Sequence, residues 1–124
     1  MKLATAALTA ALLAPTPIGI SGNSDAAIPV SATHAVDPRT YVQQRASRSG
    51  WRGQQWRCLS AILFMESRWN IRANNGNHYG LFQEHNLKPG TDLATQTRRG
   101  LRYIAERYGT PCNALTFHLK HGWY

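Results

Sequence analysis

The chain has 124 residues, enough for one small domain and little else. It carries 14 Lys and Arg against 6 Asp and Glu, a formal net charge of +8. That surplus implies an anionic partner, nucleic acid, an acidic membrane surface or an anionic cell-wall polymer, without choosing among them.

Met1-Lys2 followed by "LATAALTAALLA" pairs a short basic start with an apolar stretch. Spanning a bilayer takes about 20 apolar residues, so the stretch is too short to be a membrane span. It fits a secretory signal, with small-residue cleavage sites at Ser24-Asp25-Ala26 and Val30-Ser31-Ala32. Residues 1–32 are therefore expected to be signal peptide and processing region, and the mature chain to be secreted, extracellular or wall-associated. A disordered Ala/Pro/Gly-rich tail is the plainer alternative. Export bears on Cys58 and Cys112, the only two cysteines, because an oxidising compartment favours a structural disulfide over free thiols. The loop it closes makes the bridge worth on the order of 4 kcal/mol in the chain-entropy model.

Residues 33–50, "THAVDPRTYVQQRASRSG", are polar, hold one weak helical stretch and read as a linker or loosely docked arm, with the folded domain over 51–124. A first helix is expected from about Gln54 to Arg68. Cys58, Ala61, Ile62, Met65 and Trp69 recur at helical spacing, and Leu59, Ile62, Leu63 and Glu66 form a second stripe beside them. Together they make the helix apolar over most of its circumference, as a buried central helix would be.

"NNGNHYG" must turn, and "LFQEHNLKPG" after it ends in Pro-Gly. No convincing sheet is expected, at most a few extended residues around Tyr79–Gln83. A second helix follows from about Asp92 to Tyr108. Leu93, Ala94, Thr97, Leu101, Ile104, Ala105 and Tyr108 share its apolar face, Thr91 or Asp92 caps it, and Gly109 and Pro111 end it. Arg102 and Glu106 pair across one turn. Tyr103 falls off the apolar face, among Gln96, Arg99 and Arg107. A third helix over Cys112 to Leu119 would be tied to the first by the disulfide. The class is mainly α.

Glu66 is one of few carboxylates and ends an apolar stripe. Lost hydration disfavours the charged form of such a group, which suits a general acid. Ser67 and Asn70 are near enough to bond it or a ligand. The structural alternative is a salt bridge to Arg57, Arg68 or Arg72. Glycoside hydrolysis usually employs two carboxylates. Glu84 is the candidate second one, whereas Asp92 suits a cap and Glu106 a surface pair.

"ES" ending a buried helix, then "WN…RANN", then "YGLFQ", resembles the lytic transglycosylase branch of the lysozyme-like superfamily. "CLSAILFMESRWN", "HYGLFQ", "GLRYIAERYGTPCNAL" and "HGWY" are similar to small secreted actinobacterial and phage domains, so the likeness covers about Trp56 to Tyr124. It implies a small lysozyme-like domain that cleaves peptidoglycan between N-acetylmuramic acid and N-acetylglucosamine, with Glu66 as the single acid/base and 1,6-anhydromuramic ends as product. It further implies that Gln83 binds the sugar N-acetyl group, that Tyr79 and Gly80 form the saccharide turn with Ser67 beside Glu66, and that Tyr103 reaches the cleft. Two departures stand out. Asn77-His78 replaces Gly-Ala before Tyr-Gly, and the Ala-Tyr-Asn segment of larger relatives is missing, with Phe117, His118, Trp123 and Tyr124 in its place.

The five histidines, His34, His78, His85, His118 and His121, show no zinc-ligand spacing, so neither metal nor cofactor is expected. No nucleic-acid-binding signature accompanies the basic residues. The expected partners are peptidoglycan strands and anionic wall polymers, met by a monomer with no stable membrane span. The rival readings are a hydrolytic muramidase using Glu84 or Asp92 as second carboxylate, a non-catalytic cationic wall-binding module, and a membrane-active antimicrobial protein.

Overall fold

A computed structural model describes residues 36–124; the signal peptide and both cleavage sites expected over 1–32 lie outside the described residues. The described part is mainly α, with four helices and one three-stranded sheet of two-residue strands.

Helix α1 spans Pro38–Arg48. Asp37 caps it, accepting from the Thr40 amide at 3.0 Å, and Pro38 supplies a preset φ in the first turn where no amide is needed. Val42 and Ala46, one turn apart, are fully buried. Within the stretch expected to be a linker or loosely docked arm, residues 38–48 thus form a helix with two buried residues. Two small apolar residues on one face suffice to seat a polar helix, and the Trp51 amide closes the turn after it on the Ala46 carbonyl at 2.9 Å.

Helix α2, Gly53–Ser67, carries the core residues Leu59, Ile62 and Leu63, all fully buried. Its outer face keeps Phe64 and Met65 exposed, so the helix is buried on one side and not all round. Glu66 stands at the end of the buried stripe. Beyond it the chain turns sharply, with Arg68 at φ 53° and Trp69 at φ 65°, both in the left-handed region that side chains disfavour. The turn is held by the Arg68 amide on the Phe64 carbonyl at 3.0 Å and by the Trp69 ring, 6.0 Å from that of Trp56.

Strands β1 (Asn74–Asn75), β2 (His78–Tyr79) and β3 (Glu84–His85) form an antiparallel sheet in the order β1-β2-β3, with Tyr79 opposite both Asn74 and Glu84. The sequence leads one to expect no convincing sheet and at most a few extended residues around Tyr79–Gln83; a small sheet does form, with Tyr79 in it. The strands flank a tight turn there, in which the Gln83 amide donates to the Gly80 carbonyl at 3.1 Å.

Helix α3, Leu93–Tyr108, starts on the Asp92 cap, whose side chain accepts from the Thr95 amide at 2.7 Å. Its buried face is rotated from the expected one. Gln96, Thr97, Gly100 and Ile104 point inward, while Ala94 and Ala105 are exposed. Gln96 turns inward because its carboxamide serves three backbone groups, accepting from the Leu81 amide at 2.8 Å and donating to the Thr91 and Ile71 carbonyls at 2.8 and 3.1 Å. Helix α4, Pro111–His121, is capped by Thr110 and linked to α2 by the Cys58–Cys112 disulfide, with Cα atoms 5.0 Å apart. No helix of the described residues is long and apolar enough to cross a membrane.

Candidate active site

The end of α2, the β2–β3 hairpin, α3 and the last residues of the chain enclose a cleft of about 640 Å³ that includes Glu66, Gln83, Glu84, Tyr103, Trp123 and Tyr124 among its lining residues. That is the size range of small-ligand sites.

Glu66 reaches the cleft with its side chain 18 % exposed. It pairs with none of the three arginines that sequence offered. Its Oε1 lies 2.7 Å from Nε2 of His118, itself only 12 % exposed. The disulfide explains this meeting. Glu66 lies about 12 Å along α2 from Cys58, and His118 about 9 Å along α4 from Cys112, at 1.5 Å rise per residue. Two helices clamped at the second turn of α2 and the first turn of α4, and packed against each other, bring those two positions together. His118 was named from sequence only as a substitute for a missing tyrosine segment and as a discounted metal ligand. The signal that could have found it is its distance from Cys112.

Past α4, Gly122 takes the left-handed conformation at φ 82° and folds the last two residues back over the cleft. Tyr124 hydroxyl donates to the Phe82 carbonyl at 3.0 Å. Burial first, and then the nearby Glu66 carboxylate, push this hydroxyl well above the usual tyrosine range, so it stays a protonated donor. Trp123 is half exposed. Arg107 sits among the rings of Tyr103, Tyr108, Phe117 and Trp123, 5.3 to 5.8 Å from each centroid, which ties the tail to α3.

The other residues singled out from sequence divide in two. Gln83 and Tyr103 line the cleft. Gln83 holds a left-handed φ of 53°, and its amide nitrogen donates to the Ala73 and Gly80 carbonyls at 3.1 and 2.9 Å. Both its N–H donors are thereby engaged, leaving the oxygen for a ligand. Tyr103 is partly exposed and meets Tyr124 edge to face at 5.7 Å. Ser67, Tyr79 and Gly80, by contrast, are buried and do not line the cleft. The Ser67 hydroxyl donates to the Leu63 carbonyl at 3.1 Å, and the Tyr79 hydroxyl accepts from the Gly90 amide at 3.0 Å. Gly80 is needed for Gln96, whose Oε1 would lie 2.3 Å from an added Cβ.

Glu84 also lines the cleft, but both Nε and Nη2 of Arg99 bond its Oε1. That hydrogen bond raises the Arg99 pKa and marks Glu84 as the guanidinium's partner. Asp92 is engaged as the α3 cap. Glu106 pairs with Arg102 at 3.8 Å on the exposed face, as the sequence spacing suggested.

Compared with known proteins, the chain matches no family model, no curated protein and no solved structure.

Proposed function

We propose that the domain cleaves the β-1,4 bond between N-acetylmuramic acid and N-acetylglucosamine in peptidoglycan, with Glu66 as acid and base in turn. The observation that carries this reading is a carboxyl group at the wall of a cleft of about 640 Å³, bonded to an imidazole and, among the described residues, to no Arg or Lys. A carboxyl free of a fixed cation can exchange its proton with a ligand, as general acid–base chemistry requires.

In the proposed reaction Glu66 gives its proton to the glycosidic oxygen as the C1–O bond breaks. The substrate's own N-acetyl oxygen stabilises the cationic centre. Glu66, now a carboxylate, takes the proton of the muramic C6 hydroxyl as that oxygen bonds C1. The product is a 1,6-anhydro end, and no water enters. Gln83 would accept from the acetamido N–H through its oxygen, because its own N–H groups are held by backbone. The exposed ring of Trp123 and the edge of Tyr103 offer apolar surface to the sugar faces. The net positive charge suits anionic wall polymers and peptide-stem carboxylates.

A second reading, hydrolysis with Glu84 as second carboxylate, is favoured by the place of Glu84 in the same cleft. It requires Arg99 to release that carboxylate first. The test of the enzyme reading is turnover of purified peptidoglycan by the wild-type chain and by Glu66→Gln. Cleavage by the first and none by the second, with wall binding retained by both, is the expected result. Equal behaviour of the two would replace the enzyme with a wall-binding module.

A further inference from the structure

We infer that His118 is a positioning residue for Glu66: its Nε2–H holds Oε1 of the carboxyl and leaves Oε2 as the oxygen that exchanges protons with a ligand in the cleft. The inference rests on the acid–base role proposed for Glu66. It assigns a function to a side chain to which the sequence resemblance gives no role of its own.

The geometry is specific. Among the described residues the 2.7 Å contact is the one side-chain hydrogen bond of Glu66, and both groups are largely shielded from water. A carboxyl has two oxygens, and only the one left free can carry a proton toward the cleft. Were Nε2 the acceptor, the carboxyl proton would point into the imidazole and be lost to the ligand. With Nε2–H as donor, the same bond leaves the Oε2 proton free and strengthens once that proton has been given up, because a charged acceptor makes the stronger bond. His118 thus orients the acid before transfer and stabilises the carboxylate after it.

The surroundings leave this task to His118. From α3, Arg99 is engaged with Glu84 of β3, and Arg102 with Glu106. Tyr103 of the same helix packs against Tyr124, whose hydroxyl donates to the Phe82 carbonyl. On the hairpin, His78 and His85 face each other across the strands with ring centroids 5.1 Å apart. His118 is held in turn by α4, which the disulfide fixes to α2, so acid and positioning residue sit on two helices that cannot slide apart.

The test uses three variants and two readouts. Nitrogen-15 NMR of the neutral imidazole reports its tautomer without any need for turnover. The proton is expected on Nε2 in the wild type and in Glu66→Gln, which keeps an acceptor oxygen, and that preference is expected to vanish in Glu66→Ala. In peptidoglycan turnover, His118→Phe is expected to lower kcat by about 10²-fold, the order that a misplaced catalytic group costs, with KM unchanged. His118→Gln, whose side-chain N–H reaches a similar point, is expected to recover most of that loss and serves as control for folding. An unprotonated Nε2 in the wild type, or a kcat indifferent to His118→Phe where Glu66→Gln abolishes turnover, would overturn the inference. If the wild type has no turnover at all, the proposed function fails, and the tautomer still decides how the pair is bonded.

Discussion

Gln96 lies beneath Gly80, so close that a Cβ on the glycine would stand 2.3 Å from the glutamine's Oε1. The glycine also holds φ at 88°, a conformation side chains rarely adopt. This pair joins the hairpin to α3, since the same Oε1 accepts the Leu81 amide. Gly80→Ala should therefore destabilise the fold by about 2–4 kcal/mol, through strain and overlap together. Urea unfolding checks this. Gln96→Leu, which leaves the backbone groups it serves without partners, should cost a similar amount.

Gly100 predicts a change of sign. In an exposed helix interior, Ala is better than Gly by about 1 kcal/mol. Here an added Cβ would come within 2.3 Å of the Phe82 ring, which packs over the glycine and lines the cleft. Gly100→Ala should lower the melting temperature and also disturb the cleft, whereas Ala at an unconstrained helical glycine would raise it. A calorimetric melt distinguishes the two.

How much of this was legible in sequence depended on whether local pattern or tertiary contact decides a residue's place. The stripe Leu59, Ile62, Leu63, Glu66 was legible because helical spacing alone puts those four on one face. The caps at Asp92 and Gly109 and the Cys58–Cys112 bridge were legible for similarly local or compositional reasons. The inward turn of Gln96 was not, because a glutamine reads as surface until its backbone partners, Leu81 and Ile71 far along the chain and Thr91 nearby, are known. The helix over Pro38–Arg48 shows in the sequence only as a weak helical stretch, because Val42 and Ala46 alone are its buried residues, too few to make a stripe. Glu66 stands out as a candidate, but its partner His118 lies on another helix and is brought to it by the packing of α4 against α2 and the disulfide between them.

The disulfide spans a sequence separation of 54 and is expected to stabilise the domain by about 4 kcal/mol in the chain-entropy model. The double variant Cys58→Ala, Cys112→Ala should show that loss in urea unfolding. It should also loosen the register between α2 and α4, and with it the contact of Glu66 with His118. Reduction of the wild type should reproduce both effects.

Asp92 predicts a particular acid limb. Its hydrogen bonds from the Thr95 amide and side chain hold the carboxyl below its ordinary value of 3.8. A carboxyl whose folded value is depressed contributes stability fully above its unfolded value and loses it as pH falls through the folded one. Asp92→Asn keeps a capping oxygen and removes the titration. The wild type should therefore be the more stable near neutral pH, and its advantage should shrink as pH falls past the ordinary value of 3.8 and through the lower folded one. Parallel urea midpoints across that range measure it.

The central claim, that Glu66 acts alone as acid and base on peptidoglycan, is tested most directly by mass spectrometry of muropeptides released from purified walls by the wild-type chain and by Glu66→Gln. The account predicts products one water lighter than hydrolytic ones, released by the wild type and absent with Glu66→Gln. Reducing-end products would contradict the single-carboxylate mechanism and point to Glu84. No product dependent on Glu66 would contradict the enzyme itself.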